Sequence, residues 1–269
     1  MLRTKGVNLS FREKMENSAK KTRSNIILAL DLRTDKPSRL MSRSLQILDS
    51  VYSYLCALKL NRQAVLPLGL FDGVQKVIGR AHELGLPVIM DAKINDIGNT
   101  NRAIAEYYYK AGFDAVIASP FVGWEEGLQP VFDIANQMNR GVIVLVYMSH
   151  KGAVEGYGQI VQDPATKRLV PQYRVFAEKA LKWNADGAVV GATHPHKIRE
   201  IHALLKERVP IYAPGVGAQG GDIDAAVKAG AQYLIVGRTI VEAKDTAKTA
   251  EQIRDAALQS LKRKRVKSR

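Results

Sequence analysis

The sequence of 269 residues contains a single cysteine, Cys56, so no disulfide can form within the chain. This absence excludes the small disulfide-stapled secreted domains, and a lone cysteine in the apolar run YLCALKL suits a buried side chain in a reducing compartment. No apolar run approaches the roughly 20 residues of a membrane-spanning helix. The first residues also lack the apolar core of a signal peptide. We therefore expect a cytoplasmic protein with no membrane partner.

Basic residues are in excess, with a formal net charge of +14. Residues 1–25 contribute +5 and residues 258–269 contribute +6, which leaves only +3 for the residues between them. Charged ends are most often solvated rather than binding surfaces. Such segments could hold RNA weakly through its phosphates, but a nucleic acid is not an expected partner of the nearly balanced body.

Eight short apolar runs, most of them continuous, predict parallel strands that are buried on both faces. They lie at 26–31, 54–60, 86–91, 114–119, 141–147, 186–192, 209–215 and 233–237. Apolar residues at helical spacing fill the segments between them. Eight such units predict an α/β fold with a single (β/α)8 TIM barrel over residues 25–258. An N-terminal extension at 1–24 and a basic C-terminal tail at 259–269 would flank it. A doubly wound open sheet is the competing architecture.

Two segments fall outside the regular units. The stretch SFREKMENSAKK in the N-terminal extension is predicted to be helical, with Ser10 as its N-cap. About 25 residues, from Met148 to Gln172, separate the fifth strand from its helix, and loops longer than about 12–15 residues are usually functional or disordered. We interpret the first part of this connection as a lid or binding loop, and a surface excursion is the alternative.

Polar residues stand at the C-terminal ends of several predicted strands, which is where TIM barrels carry their chemistry. Because they lie on different strands, we expect them to converge on one mouth of the barrel. The residues at these ends are Asp31, Lys59, Asn61, Asp91, Lys93, Ser149, Pro214, Gln219, Gly237 and Arg238.

The stretch LPVIMDAKIND places three charges after an apolar strand. Asp91 and Lys93 are two residues apart and therefore face the same side of the strand, whereas Asp96 lies beyond it in the loop. Together with Lys59 from the neighbouring strand, they give an alternating order of bases and acids: Lys59, Asp91, Lys93 and Asp96. Buried charges are tolerated when they are paired, and flanking carboxylates keep a lysine protonated. We interpret the set as a fixed electrostatic array with a proton donor, and a structural ion-pair network is the alternative.

The stretch PGVGAQGGD fits the GxGxxG dinucleotide fingerprint, which expects an acid about 20 residues further on. Arg238 stands there instead. TIM barrels commonly bind phosphate with the loops after strands seven and eight, so Gln219, Arg238 and backbone N–H groups predict a phosphate site rather than an NAD site. His194 and His196 flank a proline without a carboxylate at ligand spacing, and no metal site is predicted.

Five motifs, in this order along residues 25–258, resemble those of the orotidine 5′-phosphate decarboxylase family: LALD, ALKLN, DAKINDIGNT, PGVGAQGGD and VGRTI. The resemblance implies a homodimeric barrel, free of cofactor and metal, that converts orotidine 5′-monophosphate (OMP) to uridine 5′-monophosphate and CO2. It implies a catalytic array of Lys59, Asp91 and Lys93, completed by Asp96 from the partner subunit. The motif varies at Asn95, Gly98 and Asn99 but retains its charged residues.

The resemblance also implies the residues that bind the substrate. They are Asp31 at the ribose, Thr100 at the ribose from across the dimer interface, Ser149 at the pyrimidine, Gln219, Gly237 and Arg238 at the phosphate, and Pro214. Decarboxylation leaves a carbanion at C6 with little resonance stabilisation, so we expect the Lys93 ammonium to stabilise and then protonate it.

Three alternatives remain open. A magnesium-dependent phosphosugar enzyme of the hexulose-phosphate synthase or keto-gulonate-phosphate decarboxylase type resembles this barrel and shares D-x-K-x-x-D. Such an enzyme requires an acid at the end of strand two, where Lys59 stands here. A noncatalytic barrel that binds RNA through its ends, and a structural protein with an ion-paired barrel mouth, are the other two.

Overall fold

The computed structural model describes residues 9–32 and 36–267, with side chains as far as Arg263. Eight parallel strands form a closed barrel in the spatial order β1-β10-β9-β8-β5-β4-β3-β2, which confirms the predicted (β/α)8 fold. The barrel strands are β1 Ile26–Ala29, β2 Ala57–Asn61, β3 Val88–Ile94, β4 Ala115–Ala118, β5 Gly141–Tyr147, β8 Gly187–Val190, β9 Ile211–Pro214 and β10 Tyr233–Val236. A separate antiparallel pair comprises β6 Ile160–Gln162 and β7 Leu169–Pro171.

Helices follow the strands and cover the outside of the barrel. The described helices are α1 Phe11–Thr22, α2 Pro37–Val51, α3 Arg62–Leu68, α4 Val74–Glu83, α5 Gly98–Lys110, α6 Gln129–Gln137, α7 Ala153–Gly156, α8 Gln172–Lys182, α9 Pro195–Leu205, α10 Ile223–Ala229, α11 Arg238–Val241 and α12 Thr246–Lys267. Short helical turns lie at Tyr52–Tyr54, Gly69–Gly73, Pro120–Val122 and Trp124–Leu128. Within the described part of the chain, none of the helices combines the length and hydropathy needed to cross a bilayer.

The strands are buried on both faces, as their continuous apolar runs predict. In β1, Ile26 and Leu28 pack outward against the helices, whereas Ile27 and Ala29 belong to a second cluster that fills the barrel interior. Successive strand residues point to opposite faces, so each strand contributes to both clusters. Cys56 is fully buried in the interior cluster, and burial raises the pKa of its thiol well above the ordinary value.

Helix α1 closes the barrel interior from its N-terminal end. Ser10 caps it, with a capping box in which Glu13 and Ser10 satisfy each other's backbone N–H groups, as the sequence predicts for Ser10. Phe11 and Met15 are buried among the interior residues of the strands. A Cβ at Gly141, the first residue of β5, would collide with the Phe11 ring. The predicted extension is therefore part of the barrel core, and its residues 1–8 lie outside the described chain.

The C-terminal segment differs from the expected tail. Helix α12 continues through the predicted boundary at 258 as far as Lys267. Ser260 is buried and donates a hydrogen bond to Asp224 Oδ1 at 3.0 Å, which attaches the helix to α10. Ala250, Ile253 and Ala257 of the same helix are buried in the core between barrel and helices, so α12 packs on the barrel. Residues 268–269 of the predicted tail lie outside the described chain.

The long connection after β5 contains regular structure. It includes α7 and the β6–β7 hairpin, whose turn is organised by the Asp163 carboxylate, since this accepts hydrogen bonds from the N–H groups of Ala165 and Thr166. Only the first residues of the connection, up to Ser149, line the barrel mouth. The rest of the connection does not line this cavity, but Tyr157 packs against the interior cluster, and Gly156, Tyr157 and Gln159 lie beside Asn95 and Ser119, which follow β3 and β4. This part of the connection therefore covers the barrel end next to the mouth.

Candidate active site

A cavity of about 260 Å³ opens at the C-terminal ends of the barrel strands. Its lining includes nine of the eleven residues that the sequence predicts for the site, and the interior residues Ile117, Leu145 and Ile235 form its floor. The nine residues are Asp31, Lys59, Asp91, Lys93, Ser149, Pro214, Gln219, Gly237 and Arg238. Asp96 and Thr100 do not line it.

Strand β3 is distorted where it carries the central charges. Its pairing with β4 shifts register between Met90 and Ile94, which indicates a bulge, and Lys93 has a left-handed backbone with φ of +49°. For a lysine this conformation costs roughly 1–2 kcal/mol. Backbone strain of this kind is concentrated at functional sites, where the surrounding structure maintains it. The Lys93 side chain lies beside Asp91 in this distorted segment.

Asp91 lies between two ammonium groups. Its Oδ2 accepts a hydrogen bond from Lys59 Nζ at 2.9 Å, and its Oδ1 accepts one from Lys93 Nζ at 2.6 Å. Lys59 Nζ also lies 3.9 Å from Asp31 Oδ1. Lys59, Asp91 and Lys93 therefore form one contiguous array, in which Asp31 rather than the predicted Asp96 is the second acid, and two positive and two negative charges balance.

The array keeps its charges although it is buried. Only 5% of the Lys59 side chain is exposed, and burial alone would lower its pKa, but attraction by Asp91 and Asp31 outweighs burial and raises the pKa above the ordinary value. Burial alone would raise the pKa of Asp91, but Lys59 and Lys93 outweigh it and hold that pKa below the ordinary value. Lys59 and Asp91 are therefore charged at neutral pH.

Asn61 is a member of the site to which the sequence analysis gave no role. Its Nδ2 donates a hydrogen bond to Asp31 Oδ1 at 2.7 Å, and its Oδ1 caps α3 by accepting from the Gln63 N–H at 2.8 Å. One side chain therefore fixes both Asp31 and the helix that follows β2. Asn61 is two residues from Lys59, and the sequence placed it at the same mouth of the barrel without assigning it a contact.

The loop between β9 and α10 is shaped by glycine. Gly217 has φ of +74°, and a Cβ there would come within 2.5 Å of Thr239 Oγ1. Thr239 Oγ1 accepts a hydrogen bond from the Ala218 N–H at 3.0 Å, which attaches the loop to α11. Gln219 and the exposed Arg238 lie on this side of the cavity.

Ser149 connects the loop after β5 to the glycine loop. Its Oγ donates a hydrogen bond to Gln219 Oε1 at 2.7 Å, and its backbone carbonyl accepts one from Thr193 Oγ1 at 2.9 Å. A Cβ at Gly191 would come within 2.6 Å of Ser149 Cα, so the backbones that follow β5 and β8 approach closely here. Thr193 could not be assigned to the site from the sequence, because no motif marks it.

Asp96 and Thr100 are exposed on the surface outside the cavity. Asp96 lies in the turn between β3 and α5, where its Oδ1 accepts a hydrogen bond from the Ile97 N–H at 2.7 Å. Thr100 is in the first turn of α5. A single chain therefore does not bring these two residues to the array.

The donor set of the site does not suit a metal ion. Lys59 Nζ lies between the two carboxylates that face the cavity, where a divalent cation would meet a like charge. Across the described residues, no group of three or more His, Cys, Asp or Glu side chains is placed to hold a metal.

The chain and its fold are similar to those of known proteins. Residues 24–253 match the model of the orotidine 5′-phosphate decarboxylase / HUMPS family. The chain belongs to this family. An orotidine 5′-phosphate decarboxylase from Pyrococcus horikoshii is 37% identical over 230 residues, which cover 86% of this chain and 97% of that protein. One from Methanosarcina acetivorans is 35% identical over 230 residues, with coverages of 85% and 92%.

A solved structure of a family member aligns over most of the chain. Orotidine 5′-monophosphate decarboxylase from Methanocaldococcus jannaschii, complexed with the inhibitor BMP, has a TM-score of 0.74 and 30% identity. The match covers 87% of this chain and 98% of that chain. The likeness therefore extends over the whole barrel.

Proposed function

We propose that this protein decarboxylates OMP to uridine 5′-monophosphate and CO2, without a metal or cofactor, in pyrimidine biosynthesis. The proposal rests on one observation, the Lys59–Asp91–Lys93 array, in which Asp91 contacts both ammonium groups within 2.9 Å. The family membership of the chain agrees with it. The single buried Cys56 suits a reducing compartment, and we place the enzyme in the cytoplasm.

In the proposed step, the bond between C6 and the carboxylate carbon breaks, and its electron pair stays on C6 while CO2 leaves. The Lys93 ammonium stabilises this developing charge and then transfers a proton to C6. Lys93, left as a neutral amine, regains its proton from solvent after the product departs. Asp91 lies against the leaving carboxylate and keeps Lys93 oriented, because its Oδ1 already accepts from Lys93 Nζ at 2.6 Å.

The remaining side chains bind parts of the substrate that do not react. Asp31, oriented by Asn61, binds the ribose, and Ser149 binds the pyrimidine. Pro214, Gln219, Gly237 and Arg238 bind the phosphate end, where Arg238 supplies a charge that no described carboxylate neutralises. Binding energy from this remote group is available to position C6 against the array.

We propose that two copies form a homodimer, in which Asp96 and Thr100 of each copy complete the site of the other. Five large apolar side chains are exposed on three consecutive units of the barrel around these residues, which is typical of an interaction surface. They are Leu66, Phe71, Ile97, Tyr107 and Phe121. The ring centroids of Phe71 and Tyr107 lie 6.3 Å apart in an edge-to-face arrangement. This surface therefore extends from the segment after α3 to α5.

The test of the activity is the loss of OMP absorbance on adding purified protein in EDTA. Lys93→Ala should lower turnover by roughly 10³-fold or more, because it removes both the acid and the charge that faces C6. Lys182→Ala, on the exposed face of α8, makes the same chemical change away from the site and should keep full activity. Absence of OMP turnover by the wild type would overturn the proposal. Activity only on phosphosugars with added Mg²⁺ would favour the alternative family chemistry.

The test of the shared site is subunit mixing. Lys93→Ala and Asp96→Ala are each expected to be nearly inactive as homodimers, but their heterodimer holds one intact site. Statistical exchange of equal amounts should restore about a quarter of wild-type activity. Independent sites within each chain would show no recovery.

A further inference from the structure

Asn101 is a fully buried polar residue next to the proposed intersubunit carboxylate. It lies on α5, five residues after Asp96, and its side chain is 0% exposed. An asparagine is a poor choice for the interior of a helix, and a buried amide is costly unless its hydrogen bonds are satisfied. Its presence here therefore needs a reason beyond packing.

The Asn101 amide holds the Asp96 backbone from both sides. Its Oδ1 accepts a hydrogen bond from the Asp96 N–H at 2.9 Å, and its Nδ2 donates to the Asp96 carbonyl at 2.5 Å. The second Nδ2 proton is donated to the Gly127 carbonyl at 2.9 Å. One amide thus ties the turn after β3 to the segment that precedes α6.

The neighbourhood leaves this arrangement little freedom. A Cβ at Gly98 would come within 2.9 Å of the Glu126 carbonyl oxygen, so the start of α5 already packs against the backbone of the same segment. The Asp96 carboxylate, in contrast, is exposed and accepts only from the adjacent Ile97 N–H among the hydrogen bonds described. Its direction is therefore set by the backbone that Asn101 holds.

We propose that Asn101 is a positioning residue, which fixes Asp96 so that its carboxylate is presented to the active site of the partner subunit. The inference rests on the proposed function, because it assigns Asp96 a role in that site. Asn101 itself does not touch the substrate. A misplacement of about 1 Å can cost about 10²-fold in rate, so Asn101→Ala should lower kcat/KM by about 10–100-fold.

Mixed dimers separate positioning from a general structural effect. In the dimer of Lys93→Ala and Asp96→Ala subunits, the intact site uses Asp96 of the Lys93→Ala subunit. Adding Asn101→Ala to that subunit should lower the recovered activity by the same 10–100-fold. Adding it to the Asp96→Ala subunit should leave the recovered activity unchanged. Equal losses in both placements would overturn the proposal.

A second measurement does not depend on activity. Hydrogen exchange of the Asp96 amide, followed by NMR in the wild type and in Asn101→Ala, should accelerate at least 10-fold because the acceptor of that amide is lost. Asn101→Ser retains an acceptor and is the second variant if Asn101→Ala folds poorly. Its Asp96 amide should exchange faster than in the wild type, but more slowly than with no acceptor. Asn136→Ala, at an exposed position of α6, is the matched control and should change nothing. An unchanged Asp96 amide would overturn the inference even if the wild type does not act on OMP.

Discussion

Lys59 is the most deeply buried charge of the array, so its replacement tests whether the array is one electrostatic unit. Lys59→Met retains much of the side-chain volume and removes the charge. It removes the ammonium that lies 2.9 Å from Asp91 Oδ2 and 3.9 Å from Asp31 Oδ1. Asp91 still accepts the hydrogen bond from Lys93, and Asp31 still accepts the one from the Asn61 amide.

The expected magnitude follows from these distances. At an effective dielectric constant of about 20, the two attractions are worth about 6 and about 4 kcal/mol. Burial of Lys59 costs several kcal/mol, which offsets much of that gain. The raised pKa of Lys59 shows that attraction wins. Because Asp91 retains one cation, we expect Lys59→Met to lower the free energy of unfolding by about 2–3 kcal/mol, below the usual cost of breaking a buried pair.

Urea unfolding, followed by the fluorescence of Trp124 and Trp183, measures this in a double-mutant cycle with Asp91→Asn. Because Lys59 and Asp91 share a charge network, the effects of the two substitutions should deviate from additivity by at least about 1.5 kcal/mol. The pKa of Asp91 is lower in the folded state than its value of about 3.9 in the unfolded state. Its charge therefore stabilises the fold fully above about pH 3.9, and this stabilisation is lost as the pH falls below that value. The coupling energy should be smaller at pH 3 than at pH 7. Single-mutant effects that add within about 0.5 kcal/mol at pH 7 would refute the reasoning.

Three further predictions concern the barrel's N-terminal end. Phe11→Ala should lower the free energy of unfolding, measured in urea, by about 3–5 kcal/mol, because it leaves a cavity where the Phe11 ring packs among the interior residues. An unchanged value would show that this packing is dispensable. Gly141→Ala should cost about 1–3 kcal/mol through its clash with Phe11, and much less in the Phe11→Ala background; equal costs would contradict this. His82 and Lys14 hold the pKa of the buried Asp114 at about 2. Asp114→Asn should therefore lower the free energy of unfolding by about 2 kcal/mol at pH 7 and by little at pH 2. An equal loss of stability at both pH values would contradict this.

Much of the site could be predicted because the barrel imposes geometry on sequence position. Polar residues at the C-terminal ends of separate parallel strands must meet at one mouth, so Asp31, Lys59 and Asp91 could be grouped without a structure. The i, i+2 rule placed Lys93 beside Asp91 correctly. It did so even though the strand is bulged there and Lys93 has a left-handed backbone.

Contacts between elements distant in sequence could not be predicted in the same way. The helix at Ser10 was predictable from its cap, but nothing local shows that Phe11 enters the barrel rather than solvent. Thr193 reaches Ser149 only because β5 and β8 are neighbours. Helix α12 extends past residue 258 because its apolar face packs on the barrel, which a count of basic residues does not reveal.

On the proposed function, the charge balance of the site divides binding and chemistry between its two ends. Within the array, two ammonium groups and two carboxylates cancel, so it offers little net attraction to an anionic substrate. Arg238, at the other end, forms no ion pair with a carboxylate among the described residues, and we propose that it attracts the phosphate from solution. On the proposed function, the phosphate end supplies affinity, and the array meets the pyrimidine with Asp91 toward the carboxylate and Lys93 toward C6. Loss of CO2 then removes the repulsion at Asp91 and creates the charge that Lys93 is placed to neutralise, so the array favours the transition state over the bound substrate.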